Sequence, residues 1–150
     1  MRFVIGVTGN LNLKEVSNKI AKRIIVLTED DLIGNLKKNT PVKDGAARAG
    51  WNKDNSGLQS RVYNDVKYMK FLNDGTGIYG PKKRKITPTS GGLLRFKWPN
   101  APSSIKPGKD GFYYFRSVKG IKPTKTVEKS VPATTKRINE FAQIAIRENL

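Results

Sequence analysis

The sequence of 150 residues contains no cysteine and no histidine. Without cysteine the chain has no disulfide framework and no thiolate chemistry, which suits a reducing cytoplasm. Without histidine it also lacks the side chain that most often serves as a zinc ligand or a general base. Together these two absences exclude most hydrolase and metalloenzyme mechanisms.

Long apolar runs are absent as well. No stretch approaches the roughly 18 apolar residues that a membrane-spanning helix needs. The opening segment MRFVIGVTGN has one cation and a brief apolar run before polar residues follow, so we expect no signal peptide and no membrane association. The length predicts a single domain over residues 1–150.

Acidic residues are scarce, because 12 Asp and Glu stand against 29 Lys and Arg, a formal net charge of +17 at pH 7. Residues 1–75 hold 13 cations and 8 acidic residues, a net charge of +5. Residues 76–150 hold 16 and 4, a net charge of +12. Positive charge concentrated in one half predicts an acidic partner, which is nucleic acid, an acidic protein surface, or both.

The clearest predicted element is a long helix that follows a short strand at VIGVTG, residues 4–9. Asn12 is expected to cap the helix, and Glu15 completes a capping box. Apolar residues then recur at spacings of three and four, at Leu13, Val16, Ile20, Ile24 and Leu27, and less regularly at Leu32 and Leu36. Gly34, Asn39 and Pro41 should mark the end of the helix. Its length of about 25 residues corresponds to about 37 Å, so we expect part of it to project or to meet a neighbour.

The rest of the chain predicts a turn-rich link, strands, a loop and a second helix. The link is expected at 40–51 and ends in a Trp51 anchor. A strand with Leu58, Ser60 and Val62 on one face should follow, then a turn at Asn64–Asp65 and a return strand with Val66 and Tyr68. A short helical turn is expected at 67–74. Further strands are expected at 93–98 and 111–118, then a basic crossover at 119–131 and a helix from about Val131 to Asn149 with Pro132 in its first turn. The predicted fold class is α+β: an antiparallel sheet packed with a long N-terminal helix and a C-terminal helix, with a long basic loop or arm.

Residues 73–92 are predicted to form that flexible arm. Three glycines fall within 75–80, and four consecutive cations follow at 82–85. The glycine spacing matches the start of a P-loop, but Pro81 stands where the lysine should be and removes an N–H donor. The segment therefore does not predict a phosphate cradle. We expect its glycines to give conformational freedom and its cations to attract an acidic neighbour.

No arrangement of acidic or nucleophilic residues predicts an enzyme. Asp30 and Asp31 are adjacent, so they diverge on a helix and are expected on its solvated face. Asp65 and Asp74 fall in predicted turns, where their side chains can bond to the backbone. The serines lack a base. We expect no catalytic residue, no metal site and no cofactor.

Aromatic residues interleave with cations in the second half of the chain. Trp98, Phe112, Tyr113, Tyr114 and Phe115 lie among Arg95, Lys97, Lys109 and Arg116. This mixture is typical of platforms that stack on single-stranded nucleic acid. It also fits a strand whose alternate aromatic residues, Phe112 with Tyr114 or Tyr113 with Phe115, fill a core while the other face meets a helix or a partner. We favour the second interpretation.

Three motifs, in order, resemble those of one protein family. TPVKDGAARAGW, residues 40–51, is similar to the opening motif TPV-x-(D/T)-G-x-L. VYNDVKYMKFLNDGTG, residues 62–77, resembles V-x-N-x-x-x-Y-x-x-x-L-E-x-G-T through Val62, Asn64, Tyr68, Leu72, Gly75 and Thr76. KGIKPTKTVEKSV, residues 119–131, resembles the closing motif G-x-x-P-x-x-(aromatic)-x-x-x-A through Gly120 and Pro123. The chain departs from these patterns at Ala47, at Asn73, and at Thr126 or Val127.

Over residues 10–140 the chain thereby resembles the head–tail joining or tail-completion (neck) group of long-tailed bacteriophages, to which lambda minor tail protein Z is similar. The resemblance implies a non-enzymatic structural virion protein, present as a ring of six copies around the DNA channel at the head–tail junction and assembled in the cytoplasm of the bacterial host. The implied partners are further copies of the chain and other neck, connector and tail proteins, with transient contact with genomic DNA.

The expected site residues come from the arm and the basic crossover. An interface with neighbouring subunits or partners is expected at Asp74, Gly75, Thr76, Gly77, Ile78, Tyr79, Gly80, Pro81, Lys82, Lys83, Arg84 and Lys85. Contacts with an acidic partner or with DNA are expected from Lys119, Lys122 and Lys125. The alternative function is a basic nucleic-acid-binding module that places the arm on phosphates.

Overall fold

A computed structural model describes residues 3–6, 18–43 and 45–149 of the chain. The elements are, in chain order, β1 (Phe3–Gly6), α1 (Asn18–Asn39), α2 (Ala46–Ala49), β2 (Trp51–Ser56), β3 (Gln59–Asn64), α3 (Met69–Asp74), a 3₁₀ turn (Gly77–Tyr79), β4 (Leu94–Phe96), β5 (Tyr113–Phe115), α4 (Thr126–Thr135) and α5 (Ile138–Asn149). Within the described residues, five helices and two small antiparallel sheets make an α+β fold. The predicted fold class is confirmed.

The chain forms two compact units. The base unit comprises Met1–Asn73 and Thr124–Leu150, and the inserted unit comprises Asp74–Pro123. The inserted unit contains most of the predicted arm together with both aromatic strands. No described helix combines the length and the apolar character that crossing a membrane requires.

Helix α1 forms because its buried positions recur every four residues. Ile20, Ile24, Leu32 and Leu36 are buried, as the apolar stripe predicts, but Leu27 of that stripe is only half-buried and Thr28 is buried beside it. The buried hydroxyl of Thr28 has a hydrogen-bond partner, because it donates to the Ile24 carbonyl over 2.8 Å. The helix ends at Asn39, as predicted. The expected cap (Asn12, Glu15) and the first stripe residues (Leu13, Val16) lie outside the described residues.

The sheet of the base unit has the order β1-β3-β2, with both pairs antiparallel. The hairpin joins β2 to β3 through Gly57, whose φ of 71° suits a tight turn. Strand β2 has no counterpart among the predicted strands, because its residues WNKDNS are buried at Trp51 and exposed thereafter, and so show no apolar alternation. The predicted return strand with Val66 and Tyr68 is wrong, since that segment leads into α3.

The turn at Asn64 explains this difference. The Asn64 Oδ1 accepts the Val66 N–H over 2.9 Å, so the chain turns there as expected. Its Nδ2 also donates to the Ala47 carbonyl over 2.8 Å, which ties the turn to α2. The short helical turn predicted within 67–74 is confirmed as α3.

The C-terminal region contains two helices where one was predicted. Helix α4 begins at Thr126, inside the predicted basic crossover, and Pro132 lies in its interior and not in its first turn. A turn at 136–137 separates the two helices, and there the Arg137 N–H donates to the Thr134 carbonyl three residues back. Helix α5 then packs on α1 through Ala145, which is buried with Ile20 and Ile24.

The main core of the base unit lies between α1, the sheet and α3. It consists of Leu32, Leu36, Ala47, Trp51, Val62 and Met69. Burying each of the larger side chains contributes about 1.5–3 kcal/mol. The Trp51 anchor expected from the sequence is confirmed, and its indole N–H donates to the Thr40 hydroxyl over 2.9 Å.

Candidate functional site

The inserted unit begins with a turn that is hydrogen-bonded to the end of the same unit. The Thr76 N–H donates to the Ile121 carbonyl over 2.9 Å, and the Ile121 N–H donates to the Thr76 hydroxyl over 3.0 Å. The Ile78 N–H donates to the Lys119 carbonyl over 2.9 Å. The first part of the predicted arm is therefore held against residues 119–121.

Glycines allow these two segments to approach closely. A Cβ atom on Gly77 would lie 2.0 Å from the Lys119 carbonyl oxygen, and one on Gly120 would lie 2.3 Å from the Thr76 carbonyl oxygen. Both glycines also have positive φ, 62° and 90°. The structure thus gives Gly77 and Gly120 a role in close backbone contact, whereas the sequence predicted conformational freedom for Gly77 as a glycine of the arm.

The cation run at 82–85 occupies a loop with two backbone anchors. The Lys83 N–H donates to the Gly80 carbonyl over 3.1 Å, and Lys83 itself takes a left-handed φ of 46°. After the run, Ile86 and Val118 exchange backbone hydrogen bonds of 2.9 and 3.0 Å. All four side chains are exposed. The loop therefore presents four cations from a tethered backbone.

The structure brings two of the three other predicted lysines to this turn. Lys119 contributes the carbonyl that Ile78 contacts, and the Lys122 ammonium lies 5.8 Å from the centroid of the Tyr79 ring. Lys125 belongs to the base unit, where it precedes α4 and forms an ion pair with Glu128 at 3.4 Å.

The inserted unit is strongly basic and almost without internal ion pairs. It contains eleven Lys and Arg against two Asp, a net charge of +9. Arg95, 3.3 Å from Asp110, is its one cation that forms an ion pair within the described part of the chain. The remaining positive charge is available to an external anion.

One face of the β4–β5 hairpin carries a cluster of aromatic rings. Phe96 stacks on Phe115 with centroids 5.6 Å apart, and Trp98 meets the edge of Tyr113 at 5.7 Å. Phe96 is not among the aromatic residues singled out from the sequence, although the alternation of Leu94, Phe96 and Trp98 signals a shared strand face. Every residue of the inserted unit is described, and none of its apolar side chains is buried. The rings of this aromatic cluster are therefore partly exposed.

The opposite face of the hairpin is organised by a single carboxylate. Asp110 accepts hydrogen bonds from the Tyr114 hydroxyl, the Phe112 N–H and Arg95. These bonds, led by that of Tyr114, lower the pKa of Asp110 below its ordinary value, and the same contact raises the pKa of Tyr114. The Arg95 guanidinium lies 3.7 Å from the centroid of the Phe112 ring. The polar side chains described on this face therefore have partners within the inserted unit.

The acidic residues of α1 have structural partners. Asp30 is exposed and pairs with Lys53 at 2.6 Å, in keeping with the predicted solvated face. Asp31 departs from that prediction, since it is partly buried and binds Thr134 and Arg137. These contacts tie α1 to α4 and the start of α5.

Glu29 is the buried member of this acidic group, and its carboxylate pairs with Lys53 at 2.8 Å and accepts from Ser60. The carboxylate therefore joins α1 to both strands of the hairpin.

Among residues 3–6, 18–43 and 45–149, no group of three or more acidic, histidine or cysteine side chains is placed to hold a metal ion. No protein-family model, curated protein or solved structure compared with this chain matches it.

Proposed function

We propose that this chain is a structural virion protein of a long-tailed bacteriophage, without enzymatic activity, that forms part of the head–tail connection as an oligomeric ring around the DNA channel. The three motifs that resemble the neck and tail-completion group support this class of assembly. The inserted unit supports the mode of action, because it offers a surface that another polypeptide can complete.

The observation that carries the proposal is the open state of the inserted unit. None of its apolar side chains is buried, whereas the base unit closes a core around Leu32, Leu36 and Met69. Apolar surface left open on one chain is commonly covered by a partner. A ring subunit needs such adhesive surfaces in addition to a closed core.

The charge predicts how the ring assembles. Six copies at +17 each would carry a formal charge of +102, so free copies repel one another, most strongly at low ionic strength. The ring is therefore expected to form on a preassembled acidic platform of neck or tail proteins. Sedimentation of the pure protein at low ionic strength should show monomers. A stable hexamer under those conditions would contradict templated assembly.

Electron microscopy tests the role itself. Particles assembled without the protein are expected to appear as DNA-filled heads beside finished, unattached tails. Resupplying the chain with the cations at 82–85 changed to glutamine should leave joining impaired. A charge-matched variant with four exposed lysines of the base unit changed to glutamine, Lys19, Lys22, Lys129 and Lys136, should restore joining. Joined particles in the absence of the protein would refute the proposal.

A basic nucleic-acid-binding module is the alternative, favoured by the cations of the inserted unit that have no internal partner. A module that contacts about six to ten phosphates should lose about 10³–10⁵-fold in DNA affinity between about 50 and 200 mM salt. The neck role predicts weak contact that is independent of DNA sequence. Filter binding across this salt range separates the two functions.

A further inference from the structure

The aromatic cluster of the β4–β5 hairpin consists of four rings on one face: Phe96, Trp98, Tyr113 and Phe115. The antiparallel register places Phe96 opposite Tyr113, and Phe115 and Trp98 follow on the same face because side chains alternate along a strand. Filling a core, the interpretation favoured from the sequence, does not account for these rings, since none of them is buried. The cluster is therefore a surface feature.

Trp98 is the ring of this cluster best placed to accept a planar ligand. Its indole plane is inclined by 46° to Phe96, by 68° to Tyr113 and by 62° to Phe115. Phe96 and Phe115, in contrast, lie at an interplanar angle of 17° and stack on each other. None of the rings is thus stacked in parallel on the indole. Nucleobases stack in this way on exposed aromatic side chains.

Exposed cations accompany the aromatic cluster along the same hairpin. Residues 94–116 hold five cations and one acidic residue, a net charge of +4. Four of these cations form no ion pair within the described part of the chain: Lys97, Lys106, Lys109 and Arg116. Lys97 directly precedes Trp98. The one carboxylate, Asp110, already accepts hydrogen bonds on the opposite face, so the positive charge is available to an external polyanion.

Single-stranded nucleic acid fits this combination better than a protein or a duplex does. The core of a protein–protein interface is poor in charged residues, and lysine is depleted from such interfaces. A duplex keeps its bases paired and stacked inside, where Trp98 cannot reach them. A single strand offers unpaired bases for the ring and phosphates for the cations. These are the two contacts that proteins use to bind single strands without reading their sequence.

We propose that the aromatic face of the β4–β5 hairpin binds single-stranded nucleic acid without sequence preference, with a base stacked on Trp98 and phosphates contacted by Lys97 and the other cations of the hairpin. This function goes beyond the neck role and does not rest on it. It also differs from a module that binds duplex phosphates, because it requires an aromatic ring. Polypeptide contacts of the proposed ring are left to other exposed apolar side chains of the inserted unit, Ile78, Tyr79 and Ile86.

The two tryptophans of the chain provide a direct test in the full-length protein labelled with ¹⁵N. Each gives one indole N–H resonance. Titration with a single-stranded oligothymidylate of about 12 nucleotides should shift the Trp98 resonance. The Trp51 resonance is the internal reference and should stay in place, because that indole is buried and bonded to Thr40. A Trp98 resonance that does not move at saturating oligothymidylate would overturn the proposal.

Two further ligands show what the Trp98 resonance reports. Inorganic polyphosphate offers negative charge without bases, so it should shift amide resonances of the cations at 82–85 and leave the Trp98 indole in place. An equal indole shift with polyphosphate and with oligothymidylate would reduce the site to charge alone and overturn the assignment. An acidic peptide with one Leu and one Phe that shifts the indole at a lower concentration than oligothymidylate would assign the face to a polypeptide instead.

A pair of matched variants tests the ring itself. Trp98→Leu keeps an apolar side chain and removes the stacking surface, so it should weaken oligothymidylate binding at least about fivefold and leave polyphosphate binding unchanged. Phe71→Leu is the control, since Phe71 is 57% exposed in α3 of the base unit, and it should bind oligothymidylate as the unsubstituted protein does. Equal affinity in the two variants would contradict the role of Trp98.

The amide resonances of 94–96 and 113–115 report whether the hairpin stays folded in Trp98→Leu. If the hairpin unfolds in that variant, the indole shift of the unsubstituted protein decides the proposal. Particle joining is scored separately by electron microscopy, so failure of single-strand binding leaves the neck proposal standing.

Discussion

At the scale of single residues, the inserted unit depends on two glycines and one carboxylate. Its backbone segments meet at Gly77 and Gly120, where a Cβ atom on either residue would overlap with the opposite backbone. A single carboxylate, Asp110, organises one face of the β4–β5 hairpin. Substitutions at these positions should therefore have effects larger than their solvent exposure suggests.

Gly77→Ala is expected to destabilise the inserted unit by about 2–4 kcal/mol, because it combines a left-handed backbone penalty with overpacking against the Lys119 carbonyl. Gly91→Ala is the matched control. Gly91 has a similar φ of 76° with nothing within 4 Å of its Cβ position, so only the backbone penalty of about 1–2 kcal/mol applies. Hydrogen exchange at Thr76 and Ile78 measures the difference. Equal protection in both variants would show that close approach has no role.

The contacts around Asp110 are expected to loosen in acid. The Tyr114 hydroxyl, followed by the Phe112 N–H, holds the pKa of Asp110 below its ordinary value. A carboxyl whose pKa is lowered by folding stabilises the fold above its ordinary pKa, and this stabilisation is lost as the pH falls through the lowered pKa. NMR titration of the Asp110 carboxyl should show the lowered pKa, and Tyr114→Phe should raise it. An unchanged pKa in that variant would exclude the hydroxyl as the main cause.

At the scale of elements, helix α4 begins where another segment caps it. Lys125, at its N-cap position, has a left-handed φ of 55° and provides no side-chain cap. The Asn73 Oδ1, at the end of α3, instead accepts the Val127 N–H over 3.0 Å. This cap arrives from 54 residues away in sequence, so the start of α4 could not be found from local signals.

Asn73→Ala should destabilise the protein by about 1 kcal/mol, because the Val127 N–H loses its acceptor. Asn73→Asp keeps the accepting oxygen but places a second carboxylate where the Asn73 Nδ2 donates to Glu128 over 3.5 Å, so it should not restore full stability. Asn139→Ala, at an exposed position of α5, is the control and should change stability by less than about 0.5 kcal/mol. Urea unfolding of the full chain measures all three. A loss in the Asn139 variant as large as that in Asn73→Ala would remove the capping explanation.

At the scale of the whole molecule, the base unit brings together the two points where the inserted unit leaves and returns. The Leu72 carbonyl accepts the Thr124 N–H over 2.9 Å, and the Asn73 carbonyl accepts the Lys125 N–H over 3.2 Å. Both apolar clusters of buried residues also lie wholly in the base unit. The base unit therefore has the properties of a domain that tolerates an insertion.

Replacing residues 74–123 by a short Gly-Ser linker is expected to leave the base unit folded. The hydrogen bond between Leu72 and Thr124 holds the two ends together, and no core residue is removed. Far-UV circular dichroism and a cooperative urea transition measure the outcome. Loss of the cooperative transition would mean that the inserted unit is needed for folding of the base unit.

Local periodicity determined much of the fold from the sequence alone. The α+β class, the buried stripe and end of α1, the Trp51 anchor, the turn of α3 and the two aromatic strands all follow from patterns within a few residues. The excess of cations in the second half was likewise visible in the sequence, and with it the expectation of an acidic partner. The role at a head–tail junction stays a proposal.

Only the tertiary structure decided features whose partners are distant in sequence. Strand β2 is polar and is defined by its pairing with β3, and Glu29 is buried because Lys53 and Ser60 satisfy its carboxylate. Gly77 is required because Lys119 crosses beside it. Hydrogen-bond partners and close backbone contacts depend on which segments lie next to each other in the fold. The spacing of residues along one segment does not predict these long-range contacts.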